Sequence, residues 1–212
     1  VPGDISSASF FIVLTLLSKK SKIVIKNVNV NESRIGIINI LNKMGANIKL
    51  ERKKIYKGEK IANIHVKSNS NLKAINCPST LNSSAIDEFL IIFLVAAKSK
   101  GVSKFKDLGE MNKKESKRLD LGVKFLRSIG IKVARFKNNI NIHGNPKLVL
   151  SKKYEMKNFL KDHRIFFLSC ITALTLGGKW KITDKVSINT SFPNFIKILK
   201  NIGAQIHWKK EK

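Results

Sequence analysis

Hydrophobic residues fall along this chain in two rhythms, one of period two and one of helical period, and the rhythms alternate in the same order three times. From Lys22 to Val28, Ile and Val alternate with lysines, the spacing of a half-buried strand. Ile37, Ile38, Leu41 and Met44 then recur along one helix face, and Gly45 stands where that helix would end. The first unit therefore reads as a strand-turn-helix junction at Val1-Pro-Gly-Asp, then a helix through Phe10 to Leu17 behind the caps Asp4, Ser6 and Ser7. The strand 22–28, a helix opened by Ser33-Arg34-Ile35-Gly36, and strands 46–50 and 61–66 follow. The order is β, α, β, α, β, β.

The second unit repeats it with a strand at 72–75, a helix at 85–97, a strand at 102–108, a helix at 114–128 and a strand pair at 131–134 and 140–142. In the third, a strand at 148–150 leads through a segment without clear pattern, 151–161, predicted as a loop. A helix at 164–176, a strand at 180–183, a helix at 192–201 and a strand at 204–208 complete it, one strand short. Each second helix ends in similar wording: Met44-Gly45-Ala46, Ile129-Gly130-Ile131 and Ile202-Gly203-Ala204. Such internal repetition outranks any single-element reading. It predicts one α/β domain over 1–212, made of three βαβαββ units (about 1–68, 69–145 and 146–212) packed around a common axis. Apolar runs such as Phe89 to Ala97 place the helices inside and turn the lysine-rich sheet faces to water.

Charge changes this picture less than its size implies. The formal net charge is +27, from 41 basic and 14 acidic residues. Only six of the basic residues are arginine, and the lysines are scattered along the chain among abundant Ile and Asn. That pattern reads as compositional drift; no basic stripe interleaved with aromatic side chains is present for stacking bases. Nucleic acid is accordingly not the expected partner, although a basic nucleic-acid-binding module stays as a second reading. No apolar run reaches the roughly 18 residues that a bilayer requires, so no membrane partner and a cytoplasmic location are expected. Cys77 and Cys170 have no metal-ligand spacing and read as buried thiols, and no His pair has the HExxH form, so no metal site is expected.

Candidate chemistry gathers at three helix starts. Asp87 and Glu88 precede the apolar run 89–97, Lys114, Glu115 and Arg118 open the helix at 114–128, and Asp162, His163 and Arg164 open the helix at 164–176. A helix N-terminus presents free N–H groups and the positive end of a dipole. Three such ends facing one side would make a single polyanion site. Each motif alone has a plainer reading: Asp87 or Asp162 as an N-cap, and Lys114, Glu115 and Arg118 as a solvated helix face with local ion pairs. Their joint occurrence favours the site.

Six motifs in one order, covering nearly the whole chain, resemble the 5-enolpyruvylshikimate-3-phosphate synthase family, and most closely its class II branch. They are Pro2-Gly3-Asp4 with Ser6-Ser7-Ala8, Arg34-x-Gly36 with Met44-Gly45-Ala46, Ile86-Asp87-Glu88, Lys114-Glu115-Ser116-x-Arg118-Leu119, Asp162-His163-Arg164, and Ser191-Phe192-Pro193. The resemblance implies the inside-out barrel domain of enolpyruvyl transferases. It implies transfer of the enolpyruvyl group of phosphoenolpyruvate to the 5-hydroxyl of shikimate 3-phosphate, with release of phosphate and without metal or organic cofactor. Asp87 matches the family's proton acceptor on the shikimate hydroxyl, Glu115 the carboxylate that exchanges a proton with the methylene carbon, and Lys114 a lysine on shikimate 3-phosphate. Arg118 and Arg164 match the two arginines on phosphoenolpyruvate.

The resemblance further implies that a partner domain lies N-terminal to this chain, and that the full-length protein is a monomer. That domain would supply a Lys-Ser pair, arginines and a Ser-x-Gln motif for the phosphate of shikimate 3-phosphate. A relative acting on UDP-N-acetylglucosamine is the alternative within the superfamily. The chain departs from the pattern at Lys117, where the family usually has an acidic residue, and at Asn112-Lys113, where it usually has Arg-Val. Lys117 predicts the loss of a carboxylate that would orient Arg118. Thr190, where other branches carry a lysine, agrees with class II.

Overall fold

Three helices without a polar face can be satisfied only by each other, and this constraint organises the molecule. The computed structural model describes residues 1–157, 162–183 and 191–207. Helices α1 (Ile5–Leu17), α4 (Phe89–Lys98) and α6 (His163–Leu176) pack against one another in the interior. Every residue from Phe89 to Ala97 is buried, so α4 has no solvent side at all. The cluster they build is continuous through all three repeats. Its aromatic part joins distant segments: Phe167 of α6 lies 5.0 Å from Phe10 of α1 and 4.4 Å from Phe195, ring centre to ring centre.

Sheets cover the outside. The first contains β1 (Lys22–Asn29), β2 (Asn47–Tyr56) and β3 (Glu59–Lys67) in the order β1-β3-β2, all antiparallel. The second repeats that order with β4 (Val102–Phe105), β5 (Val133–Phe136) and β6 (Asn139–His143). The third, among the described residues, pairs β7 (Leu150–Met156) and β8 (Gly177–Ile182) in parallel. In each unit the segment before the inner helix runs parallel to the strand after it. In the first two units this shrinks to isolated bridges, Gly3 to Val28 and Asn76 to Lys104. Helices α2 (Gly36–Lys43), α5 (Arg118–Ser128) and α7 (Phe195–Asn201) form the outer helix of each unit, and a single turn α3 (Asn82–Ala85) precedes α4.

Several expected elements shift. The strand expected at 72–75 is reduced to parallel bridges of Lys73 with Lys100 and Asn76 with Lys104. The helix expected from Ala85 is broken at 86–88, and the one expected from Lys114 starts at Arg118. The loop expected at 151–161 begins as strand β7 through Met156, while 158–161 lie outside the described residues. Its edge position explains the missed alternation, since Ser151, Lys152 and Lys153 are all exposed. The helix expected from Phe192 starts at Phe195. Residues 204–207 carry no strand, and Trp208, Asn189 and Thr190 lie outside the described residues.

One close approach sets the height of the second helix start against the first unit. Gly36, the first residue of α2, sits against Ser84 of α3, where an added Cβ would lie 2.6 Å from the carbonyl carbon and 2.7 Å from its oxygen. Gly130 differs: its φ of +85° needs glycine, but nothing among the described residues lies within 4 Å of an added Cβ. Gly130→Ala is expected to cost about 1 kcal/mol, the penalty of left-handed backbone. Gly36→Ala should cost about 2–3 kcal/mol, because backbone must move. Urea melts of the two variants followed by circular dichroism check the order; equal losses would mean that the Ser84 contact is soft.

Candidate functional site

The break between α3 and α4 is what presents Asp87. Its neighbour Glu88 caps α4 with its backbone, accepting from the N–H groups of Ile91 and Ile92, so the helix begins two residues after Asp87. The start of α5 is set differently. Lys114 is extended, and the amide oxygen of Asn112 accepts from the N–H groups of Leu119 (3.0 Å) and Asp120 (3.4 Å). That remote cap leaves Lys114, Glu115 and Ser116 outside the helix, ahead of Arg118. The third start is capped by Asp162, whose Oδ1 accepts from the Arg164 N–H at 3.0 Å.

All five residues singled out from the sequence meet here. Asp87 is the centre: Arg118 Nη1 donates to its Oδ1 at 2.9 Å, and Lys114 Nζ lies 3.4 Å from the same oxygen. Arg164 Nη2 lies 3.7 Å from Oδ2, and Arg164 Nη1 donates to the Asp87 carbonyl at 2.7 Å. Glu115 pairs with Arg118 Nη2 and is otherwise turned to solvent, with a side chain 70% exposed. Lys114 and Asp87 are half-buried, whereas Arg118 is only 2% exposed.

Residues that the sequence marked only as caps or supports complete the arrangement. Buried Asp162 accepts from Arg118 Nε at 3.1 Å and from the Ser116 hydroxyl, so an N-cap of one repeat also braces the arginine of another. Arg118 is therefore held through Nε, Nη1 and Nη2 by Asp162, Asp87 and Glu115. The orienting carboxylate that Lys117 was expected to remove is not missed: Lys117 is exposed, and three other carboxylates do the work. Glu88, buried beside Asp87, turns the other way, accepts from the Ser6 hydroxyl and lies 3.9 Å from Arg164 Nη1. Spacing in the chain gives no sign of either cross-repeat contact, since Ser6 and Glu88 are 82 positions apart.

Electrostatics separate the two neighbouring carboxyls. Burial raises the pKa of Asp87, but Arg164, Lys114 and Arg118 together outweigh it and hold the group below its ordinary value. For Glu88 burial wins over the Ser6 hydrogen bond and Arg164, and the pKa is raised. Burial and the adjacent Arg164 push His163 down, which favours its neutral form. Arg164 Nε is buried and has no hydrogen-bond partner among the described residues. Thus every nitrogen of one guanidinium meets a carboxylate, whereas the other makes one short bond, to the Asp87 carbonyl, and stands farther from Asp87 and Glu88. Cys77 and Cys170 are free and buried, their thiols pushed up to about 11 and about 12 by burial, which excludes them as ready nucleophiles. No group of three or more potential metal-ligating side chains occurs among the described residues. Nor is any helix there long and apolar enough to cross a membrane.

Three repeated α/β units with cations braced at one set of helix starts place the molecule in the fold class of the enolpyruvyl transferases. The crystal structure of the enolpyruvyl transferase NikO from Streptomyces tendae shares that fold at a TM-score of 0.68, covering 97% of this chain and 44% of its own, with 12% identity. The EPSP synthase of Acinetobacter baumannii is much nearer: TM-score 0.90, 31% identity, 99% of this chain and 48% of that one. In sequence, the 3-phosphoshikimate 1-carboxyvinyltransferase of Ruthia magnifica subsp. Calyptogena magnifica is 38% identical over 207 residues, 98% of this chain and 47% of the relative. Residues 1–199 match the family model of EPSP synthase (3-phosphoshikimate 1-carboxyvinyltransferase), and the chain belongs to that family. It spans about half the length of the relatives it matches.

Two outcomes test the geometry. Arg118→Met should cost about 3–5 kcal/mol in urea unfolding, because it leaves the buried Asp162 without its cation. Asp87→Asn should cost about 2 kcal/mol at pH 7. A carboxyl whose folded pKa is lowered stabilises above the ordinary aspartate range and loses that contribution as pH falls through the lowered value. The gap between Asp87→Asn and the unmodified chain should therefore close on acidification below about pH 4. A gap unchanged at pH 3 would mean that Asp87 is not held by its cations.

Proposed function

We propose that this chain is one domain of an enzyme that transfers the enolpyruvyl group of phosphoenolpyruvate to the 5-hydroxyl of shikimate 3-phosphate and releases phosphate. The carrying observation is Asp87 ringed by Lys114, Arg118 and Arg164 at the starts of helices from two repeats. The second domain, N-terminal in the full-length protein, would bind the phosphate of shikimate 3-phosphate and close over the open side. A cytoplasmic, monomeric full-length protein without cofactor belongs to the same reading. The curated relatives' activity sets it ahead of a UDP-N-acetylglucosamine transferase or a nucleic-acid-binding module.

The chemistry assigns each group a task. The 5-hydroxyl oxygen attacks C2 of phosphoenolpyruvate while its methylene carbon gains a proton; the tetrahedral adduct then loses that proton and phosphate. Asp87 accepts the hydroxyl proton. Its lowered pKa keeps it in the basic form at neutral pH, and exclusion of water on domain closure would raise its basicity. Lys114 beside it holds shikimate 3-phosphate and steadies the developing alkoxide. Glu115, on the open side, exchanges the proton of the methylene carbon, and its contact with Arg118 couples that carboxylate to the anion site. Arg118, already fixed in orientation, and Arg164, held at longer distances from Asp87 and Glu88, bind the carboxylate and phosphate of phosphoenolpyruvate.

Phosphate release from phosphoenolpyruvate, measured with this chain joined to an N-terminal half, should depend on shikimate 3-phosphate. Asp87→Ala should lower kcat by about 10²–10⁴-fold. The 212-residue chain alone should bind these substrates weakly and show no turnover. Release that ignores shikimate 3-phosphate, or full activity from the chain alone, would overturn the reading.

A further inference from the structure

Ser6 and Glu88 form a contact that the transfer chemistry leaves unused. The Ser6 hydroxyl accepts from Arg34 Nη2 at 3.0 Å, and Arg34 in turn lies 3.6 Å from Asp4, the N-cap of α1. A hydroxyl has one proton; with a cationic donor already on its oxygen, that proton must point to the other neighbour, Glu88 Oε1. Glu88 is 3% exposed, and the same Oε1 is 3.9 Å from Arg164 Nη1, too far for a direct hydrogen bond. A buried carboxylate this near a guanidinium would close on it if nothing else held it. The charge pair would then occupy an arginine that otherwise makes one short bond, to the Asp87 carbonyl.

We propose that the Arg34–Ser6 pair is a positioning device: it ties Glu88 back and so keeps Arg164 open for an anionic ligand. The device spans all three repeats, with Ser6 and Arg34 in the first, Glu88 in the second and Arg164 in the third. It deepens the reading above, since phosphoenolpyruvate is the ligand it would serve.

The test has a ligand-free arm and a binding arm. With arginine-selective ¹⁵N labelling, the six arginines give a sparse NMR spectrum in which Arg164→Lys identifies the Arg164 signals. Ser6→Ala should slow exchange of the Arg164 guanidinium hydrogens and weaken phosphoenolpyruvate binding to this chain about five-fold, the size of a modest ion pair. Adding Glu88→Gln to Ser6→Ala should restore both, because the competing charge is gone. A merely structural Ser6 would predict the reverse, with the double variant worse than the single one. Arg34→Met, altering a half-exposed side chain, should act in the same direction as Ser6→Ala and serves if Ser6→Ala does not fold. Unchanged Arg164 exchange, or no restoration by Glu88→Gln, overturns the device. Exchange that follows the prediction in a chain that binds no phosphoenolpyruvate upholds the device and overturns the proposed substrate.

Discussion

A guanidinium removed from water dictates much of this structure. Arg118 is almost wholly buried, and such a charge is tolerable only with its hydrogen bonds met by opposite charge. Asp162, Asp87 and Glu115 meet it from three directions, and each of those carboxylates must be delivered by its own piece of backbone: the cap of α6, the break before α4, and the extended run before α5. The three helix starts are thereby locked to one point. Packing of α4 against α5 and α6 brings the starts close; the buried arginine fixes their relative positions to within hydrogen-bond tolerance.

The two arginines divide the labour that a polyanion site needs. Arg118 engages a carboxylate through each of its nitrogens and acts as a rigid, oriented charge. Arg164 makes one short bond, to a backbone carbonyl, and keeps looser distances to Asp87 and Glu88. A rigid member lowers the cost of organising the site, while an unsaturated one supplies binding strength. The surrounding carboxylates nearly cancel the local positive charge, which explains how a chain of net charge +27 can hold a compact cluster of cations without repulsion dominating it.

Where an element is apolar on every side, or repeats, the chain announces it plainly. The runs 10–17 and 89–97 became inner helices, and the glycines closing α2 and α5, Gly45 and Gly130, both have positive φ. The five residues Asp87, Lys114, Glu115, Arg118 and Arg164 were also legible, because each sits beside a helix start and within a motif that resembles the family's. Apart from the local Glu115–Arg118 pair, their mutual contacts were not, since a repeat period says that units are alike and nothing about which side chains touch across them. The helix boundary at Arg118 was hidden for a local reason: the Asn112 cap comes from seven residues upstream of Leu119, beyond the reach of the usual cap patterns. Strand β7 was hidden because its outward residues are Ser and Lys, so no alternation marks it.

The third sheet is the thinnest, two parallel strands among the described residues, and its composition bears on how the molecule behaves in a crowded solution. Strands without a neighbour on one side invite pairing with strands of other molecules, the first step toward insoluble assemblies. Lys152 and Lys153 on β7 and Lys179 and Lys181 on β8 place positive charge along this ribbon. Two copies approaching edge to edge would bring like charges together at strand spacing, and Glu155, which reaches Lys157 and Lys181, offsets them only in part. The lysine drift that tells nothing about catalysis thus acts as a colloidal guard, making the ribbon unattractive to a copy of itself.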